Sequence, residues 1–278
     1  MTASPETIKA CCATAYASPV ARWLLGSSFH PGGAALTRRL IRSLGVGPDD
    51  TVADVACGLG ASSLQLAREA GCRVVGIDLS PDSVEAARRA AQAEALDGSV
   101  RFLVGDAEAL PLGDASVDGV LCECSLCTFP DKRSATAELG RVLKPGGRLA
   151  LSDMTADPGR LPASLKTLEA WIACLADALP LPELVELVRD MGLVVEIAER
   201  HDDALAQLLD RVDARLRLAR VALAETGDPA LADRGLELLA DARESLDRGI
   251  VGYAVVVARR PPGRVEATGG RVGASNFV

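Results

Sequence analysis

Between Thr51 and Asp153 the chain alternates short apolar runs with longer amphipathic ones, and this alternation constrains the fold more than any other feature. Thr51–Ala56, Arg73–Asp78, Val100–Val104, Val117–Cys122 and Arg148–Asp153 are short, apolar and bounded by turn residues, which predicts buried strands. Ala61–Ala70, Pro81–Ala95 and Asp131–Leu143 lie between them and read as helices. Gly71 stops the first helix, and Lys144-Pro-Gly-Gly ends the third. Ser80 as N-cap and Pro81 at the first position open the second. Strands alternating with helices predict a parallel α/β sheet with ligands at the C-terminal ends of its strands.

The flanks differ. Residues 5–45 read as a helical lead-in, with an amphipathic stretch over Ala34–Leu44 that Gly45-Val-Gly-Pro-Asp-Asp breaks. After about residue 155, helices are expected over Pro162–Leu179 and Pro182–Met191, then a strand over Leu193–Glu199. Two longer helices follow, Asp203–Glu225 and Pro229–Asp247, and a last strand over Tyr253–Ala258. In residues 203–247 alternating Asp, Glu and Arg read as solvated faces around an Ala/Leu stripe that packs on the core. Residues 260–278 carry Pro-Pro-Gly and Gly-Gly without periodicity, which predicts disorder. The expected organisation is a helical cap (1–45), one catalytic-size domain with a helical elaboration near 200–248 (46–258), and a tail (259–278).

Composition removes several function classes. At 278 residues with 49% hydrophobic and 24% charged residues, the chain has material for a real core. A net charge of −8 disfavours a nucleic-acid binder. No apolar run reaches the ~20 residues of a membrane helix. The start, MTASPETIKACC, lacks a basic n-region and an apolar h-region. A cytoplasmic location is therefore expected, where thiols stay reduced. The 8 cysteines are then core filler, reactive thiols or soft-ion ligands rather than a disulfide frame.

The strongest local motif is Asp54-Val-Ala-Cys-Gly-Leu-Gly60, between a strand and a helix. Glycines at such a turn let the backbone approach a ligand closely. A dinucleotide fingerprint would place Gly or Ala at position 63, where this chain has Ser63. Asp78 ends the second strand, where an acid can take both hydroxyls of a ribose. Gly105-Asp106-Ala107 ends the third, where a carboxylate can accept from an adenine amino group. Three such features at successive strand ends point to a nucleoside-containing cofactor.

Asp54–Gly60, Asp78, Asp106-Ala107 and Leu143-Lys-Pro-Gly-Gly-Arg-Leu before a strand together resemble the class I S-adenosylmethionine-dependent methyltransferases. The resemblance covers about residues 35–155. It implies a Rossmann-like, mostly parallel, seven-stranded sheet with an N-terminal helical lead-in and a C-terminal helical insertion. It also implies S-adenosylmethionine as cofactor, with no catalytic metal. Asp54, Gly58 and Gly60 would line its methionine part, Asp78 with Leu79 the ribose, and Asp106 with Ala107 the adenine. Glu123, after the fourth strand, would face the cofactor or orient the substrate.

Cys122, Cys124 and Cys127 sit at the end of that fourth strand, and a period of two predicts Cys122 and Cys124 on one face. Cys174 falls in an expected helix and Cys11-Cys12 in the lead-in. All three groups belong to regions that cap the cofactor site in this fold. Cys72 reads as buried filler, and Cys57 as a small residue of the cofactor turn. Cys124 ahead of Phe129-Pro-Asp-Lys132, and Trp171-Ile-Ala-Cys174-Leu175, are similar to the arsenite methyltransferases, over roughly residues 51–192. That resemblance implies Cys124 and Cys174 as thiolate ligands of As(III), methylated without a general base, with a thiol reductant such as glutathione or thioredoxin as partner. The family's third cysteine has its counterpart here at Gly26-Ser27, so Cys11 or Cys12 is the candidate third ligand. Two rivals remain: a small organic acceptor with the cysteines structural, and a thiol-rich metal or metalloid binder without turnover. His30, in Phe29-His-Pro-Gly, reads as a soft ligand or a base near the pocket entrance, and equally as a loop residue bonded to backbone. Tyr16 is read as packing over the cofactor or in the core.

Overall fold

The computed structural model describes residues 4–26, 29–167, 174–226 and 230–262. Strands β1 (Thr51–Val55), β2 (Arg73–Asp78), β3 (Val100–Val104), β4 (Val117–Glu123), β5 (Leu143–Ala156), β6 (Val194–Arg200) and β7 (Val251–Arg259) form one sheet in the order β3-β2-β1-β4-β5-β7-β6. β1 to β5 pair in parallel, and β7 runs antiparallel to both β5 and β6. The chain reverses its direction of strand addition at β1, whose neighbours are β2 and β4, so a crevice opens at the C-terminal end of β1.

The strands alternate sides as a period of two requires. Val52, Leu121, Ala150, Val255 and Val257 face one layer, with Leu36, Leu40 and Leu44 of α3 (Gly33–Leu44) and Leu64 of α4 (Ala61–Ala70). α5 (Pro81–Ala93) adds Val84 and Ala87 to that layer. Ala53, Val120, Leu149, Leu151, Val256 and Ala258 face the other, with Leu139 of α6 (Lys132–Val142) and Leu184 and Val188 of α7 (Leu181–Asp190). The predicted cap holds: Ser80 accepts from the Ser83 amide at the start of α5. Asp131, expected inside its helix, instead caps α6 by accepting from the Ser134 amide.

The lead-in is helical as expected. α1 (Pro5–Ala17) and α2 (Pro19–Leu25) meet at Ser18, whose hydroxyl accepts from Ala21 N and donates to Ala15 O, so one residue ends α1 and caps α2. The late helices are α8 (Asp202–Thr226) and α9 (Ala230–Asp247). Leu205 and Leu209 of α8 and Leu239 and Ala242 of α9 join the α3–α5 layer, while Leu218, Val221 and Leu231 are exposed. No helix is long and apolar enough to cross a membrane, among the described residues.

One expected helix differs. Over Pro162–Leu179 the chain makes a 3-10 turn at Ala163–Lys166, and residues 174–180 are non-helical. Residues 168–173, with the Trp171 of the cysteine motif, lie outside the described residues, as does Ser27. Cys174 is therefore not on a helix; its φ is +64°. Leu179 pairs with Thr155 as an isolated bridge and precedes Pro180, which disfavours helical backbone at the residue before it. The expected tail, 259–278, starts too early: Arg259 closes β7 and Arg260 exchanges backbone hydrogen bonds with Gly146 and Gly147, while residues 263–278 lie outside the described residues.

Candidate functional site

A cavity lies at the C-terminal ends of β1, β2, β3 and β4, roofed by α1. Its floor is the turn after β1. Ala56, Gly58 and Gly60 all have positive φ, and Gly60 N donates to Cys57 O at 2.9 Å. A Cβ on Gly60 would stand 2.7 Å from the Phe102 ring, so the turn packs there only with glycine. The turn is tied to β2 by Cys57 N donating to Ile77 O (3.0 Å) and Gly58 N donating to Asp78 Oδ2 (2.8 Å).

Four acids line this cavity. Asp54 is 2% exposed, and burial pushes its carboxyl up to about 7. Its Oδ2 accepts from the Ser63 hydroxyl at 2.5 Å. Ser63, the residue that breaks the dinucleotide fingerprint, is thus the partner that holds the buried acid. The Asp78 carboxylate is braced by Gly58 N and Ser80 N, and burial raises its pKa. Asp106 accepts from Glu108 N on one oxygen and from Lys9 Nζ (2.7 Å) on the other. Lys9, on α1, also reaches Glu108 at 2.5 Å, so α1 is fastened across the β3 end of the cavity. The sequence offered no sign of this contact. Leu79 and Ala107 line the cavity with Gly58.

Glu123 ends β4 and faces His30. Both side chains are buried, and His30 Nε2 is 3.6 Å from Glu123 Oε1. His30 Nδ1 lies 3.1 Å from Pro31 O. The Thr37 hydroxyl, on α3, reaches Glu123 Oε1 at 3.1 Å and His30 Nε2 at 3.3 Å. His30 bonds backbone, as one of its readings expects, and it also lines the cavity.

The thiols sit beside this pair. Cys124 and Cys127 do not follow the period of β4. Cys122 is buried in the α6–α7 layer, while Cys124, at φ +52°, turns toward the opposite layer. The expected shared face of Cys122 and Cys124 is lost because left-handed backbone at Cys124 ends the extended form. The Cys174 thiol reaches Cys124 O at 3.6 Å and the Tyr16 hydroxyl at 3.2 Å. The neighbouring Cys124 and Cys127, with Tyr16 and Lys132, hold the Cys174 thiol well below its usual range. Asp153 braces the loop from below, taking Cys127 N and Met154 N on its two oxygens, and burial pushes it up to about 7.

Cys12 lines the cavity, and burial pushes its thiol up to about 12. Cys11 is half-buried and is not among the lining residues described. Cys127, rather than either, is the thiol that interacts with both Cys124 and Cys174. Among the described residues no group of three His, Cys, Asp or Glu side chains is arranged to hold a metal ion.

The fold as a whole is similar to that of solved structures. A geranyl diphosphate C-methyltransferase from Streptomyces coelicolor, solved with Mg2+, geranyl diphosphate and S-adenosyl-L-homocysteine, superposes with a TM-score of 0.70. The likeness covers 94% of this chain and 100% of that one at 22% identity. The fold is that of the class I methyltransferases. Within it, residues 53–151 match the family described as Methyltransferase domain. The chain is 37% identical over 135 residues to the methyltransferase GfsG of Streptomyces halstedii, covering 48% of this chain and 49% of that one. It is 34% identical over 166 residues to the 27-O-demethylrifamycin SV methyltransferase of Amycolatopsis mediterranei, covering 59% and 61%. The chain thus spans about half the length of the first relative and 61% of the second. The arsenite resemblance read from the cysteine motifs has no counterpart among these relatives.

Proposed function

We propose that the chain binds S-adenosylmethionine and transfers its methyl group to a small organic acceptor. One observation carries this reading: Asp54 with the Gly58–Gly60 turn, Asp78 and Asp106 stand at the ends of three neighbouring strands and open on a single cavity. The turn's glycines admit the methionine part, Asp78 the ribose hydroxyls, and Asp106 with Ala107 the adenine. Methyl transfer neutralises the sulfonium, and the acids Asp54 and Glu123 face the cation in the ground state. The protein's contribution is positioning, which supplies up to ~7–11 kcal/mol for well-oriented reactants. The relatives that carry a methyltransferase name, one of them acting on a rifamycin hydroxyl by its name, support an organic acceptor over a metalloid.

A second reading rests on Cys124, which lines the cavity, having Cys127 and Cys174 as its neighbours. Trivalent arsenic is soft and favours thiolates. Held by Cys124 and Cys174, with Cys12 or Cys11 as third ligand, it would offer its lone pair to the sulfonium methyl, and a thiol such as glutathione or thioredoxin would serve as reductant. One experiment separates the two. The protein is incubated with methyl-labelled S-adenosylmethionine and glutathione, with arsenite or with a panel of small hydroxyl, amine and thiol acceptors, and the products are read by mass spectrometry. Label on organic acceptors, kept in Cys124→Ser and Cys174→Ser, supports the first reading. Methylated arsenic that disappears in those variants replaces it with the second.

A further inference from the structure

Three of the 8 cysteines gather where the roof of the cavity meets its wall. Cys124 lines the cavity, and Cys127 and Cys174 are buried beside it. Side-chain contacts clamp the two chain segments that carry them. The Cys174 thiol reaches Cys124 O at 3.6 Å. The Lys132 ammonium donates to Cys127 O at 3.4 Å and to Phe129 O at 3.1 Å, and it pairs with Asp177, three residues after Cys174. Asp153 takes the Cys127 amide at 3.0 Å. Cys124 and Cys174 both carry left-handed backbone, at φ +52° and +64°. Such backbone costs free energy away from glycine and persists where the surroundings hold it. Here it stands at two residues whose side chains meet.

The cluster is also tied to the roof. α1 is fastened at Lys9 to Asp106 and Glu108, and near its end by Tyr16, whose hydroxyl stands 3.2 Å from the Cys174 sulfur. With the sulfur ionised, the phenol donates to a charged acceptor, which is the stronger kind of hydrogen bond. The same donation, with Lys132 nearby, favours the thiolate. A disulfide sulfur carries no charge, so oxidising Cys174 weakens this tie. Cys124 gives a small oxidant a way in, because it lines the cavity.

We infer that Cys174 and the Cys124–Cys127 turn form a reversible dithiol switch that sets how firmly α1 closes the cavity. With a peroxide as oxidant, the Cys174 thiolate attacks one peroxide oxygen, the O–O bond breaks and hydroxide leaves. The thiol of Cys124 or Cys127 then attacks the sulfenic sulfur. The S–S bond forms, the S–OH bond breaks, and the thiol's proton leaves with the hydroxide as water. Two sulfurs give up two electrons, and the peroxide is reduced to hydroxide and water. A dithiol reductant returns both thiols by exchange. In the reduced state Tyr16 holds α1 down; in the oxidised state the roof loosens and a ligand beneath it is held less firmly. The effect on cofactor affinity rests on the S-adenosylmethionine reading above, and the disulfide itself does not.

The test uses the whole protein, either reduced with dithiothreitol or treated with hydrogen peroxide and then freed of it. Peptide mapping without reduction, calorimetry with S-adenosylhomocysteine and amide exchange are run on both forms. Peroxide should yield a peptide pair two hydrogens lighter, joining Cys174 to Cys124 or Cys127. Affinity for S-adenosylhomocysteine should fall about tenfold, the worth of one charge-assisted hydrogen bond. Exchange over residues 5–17 should quicken, and dithiothreitol should reverse all three changes. Cys174→Ser should stay unlinked, with an affinity indifferent to peroxide. Tyr16→Phe should still form the disulfide, yet bind equally well in both forms, near the level of oxidised wild type. No link to Cys174 overturns the switch, as does a Cys12–Cys174 link, which would staple α1 in place. A correct link with affinity and exchange unchanged overturns it too. If the reduced protein fails to bind S-adenosylhomocysteine, the cofactor reading falls, and mapping with amide exchange still decides the switch.

Discussion

Replacing Asp54 by Asn should flatten the pH dependence of stability of the cofactor-free protein. Burial holds the Asp54 carboxyl at about 7, against 3.8 for the ordinary side chain. The folded state therefore keeps a proton that the unfolded chain has released. The sign follows: this group's contribution is fully present below about 3.8 and is lost as pH rises toward 7, complete above it. The slope is about 1.4 kcal/mol per pH unit, so the span of about 3 units costs about 4 kcal/mol by neutral pH. Asp153, also held at about 7, adds a similar loss over the same window. Asn at 54 keeps an oxygen for the Ser63 hydroxyl and removes the titrating proton. Urea unfolding at pH 5, 6, 7 and 8 should show wild-type stability falling by several kcal/mol, and Asp54→Asn falling about half as steeply. At pH 8 the variant should be the more stable of the two. Parallel pH profiles for the two proteins would refute the reasoning, because Asp54 would then be ionised in the fold.

Three further outcomes are expected. Tyr16→Phe removes the hydroxyl 3.2 Å from Cys174 Sγ, so thiolate absorbance near 240 nm should emerge at higher pH than in wild type; an unchanged titration would mean Tyr16 does not support that thiolate. Gly60→Ala places a Cβ 2.7 Å from Phe102 at φ +82°, and should lower stability by about 1–3 kcal/mol and weaken cofactor binding. Unchanged denaturation and calorimetry would show that the turn tolerates a side chain. Lys9→Met releases α1 from Asp106 and Glu108; these part-exposed pairs are worth about 1 kcal/mol or less each, so global stability should move little. Amide exchange over residues 5–17 should nonetheless quicken, and equal exchange would mean that apolar packing alone holds α1.

The strand-end acids were legible because position does the work. Asp54, Asp78 and Asp106 each end an apolar run, and parallel strands deliver such residues to one edge. The cap at Ser80 was legible for a local reason, since a cap and its amide lie three residues apart. What was missed is non-local or breaks a period. Cys124 leaves its predicted face because a single left-handed residue ends the alternation. Cys174 left its predicted helix where Leu179 pairs with Thr155. Thr37 meets Glu123 across 86 residues, and Lys9 meets Asp106 across 97, contacts that no periodicity announces. Cys127 groups with Cys122 and Cys124 at the strand end with no role legible for it, and it interacts with both Cys124 and Cys174. The departure at Ser63 was visible, but its meaning came only with the distance to Asp54.

The central claim is that the three strand ends form one S-adenosylmethionine site. Titration calorimetry of S-adenosylhomocysteine into wild type and Asp78→Ala tests it most directly. A saturable 1:1 isotherm is predicted, weakened at least about tenfold in the variant, as expected when a charge-assisted hydrogen bond is lost. No binding to folded wild-type protein, or equal affinity in the variant, would contradict the account.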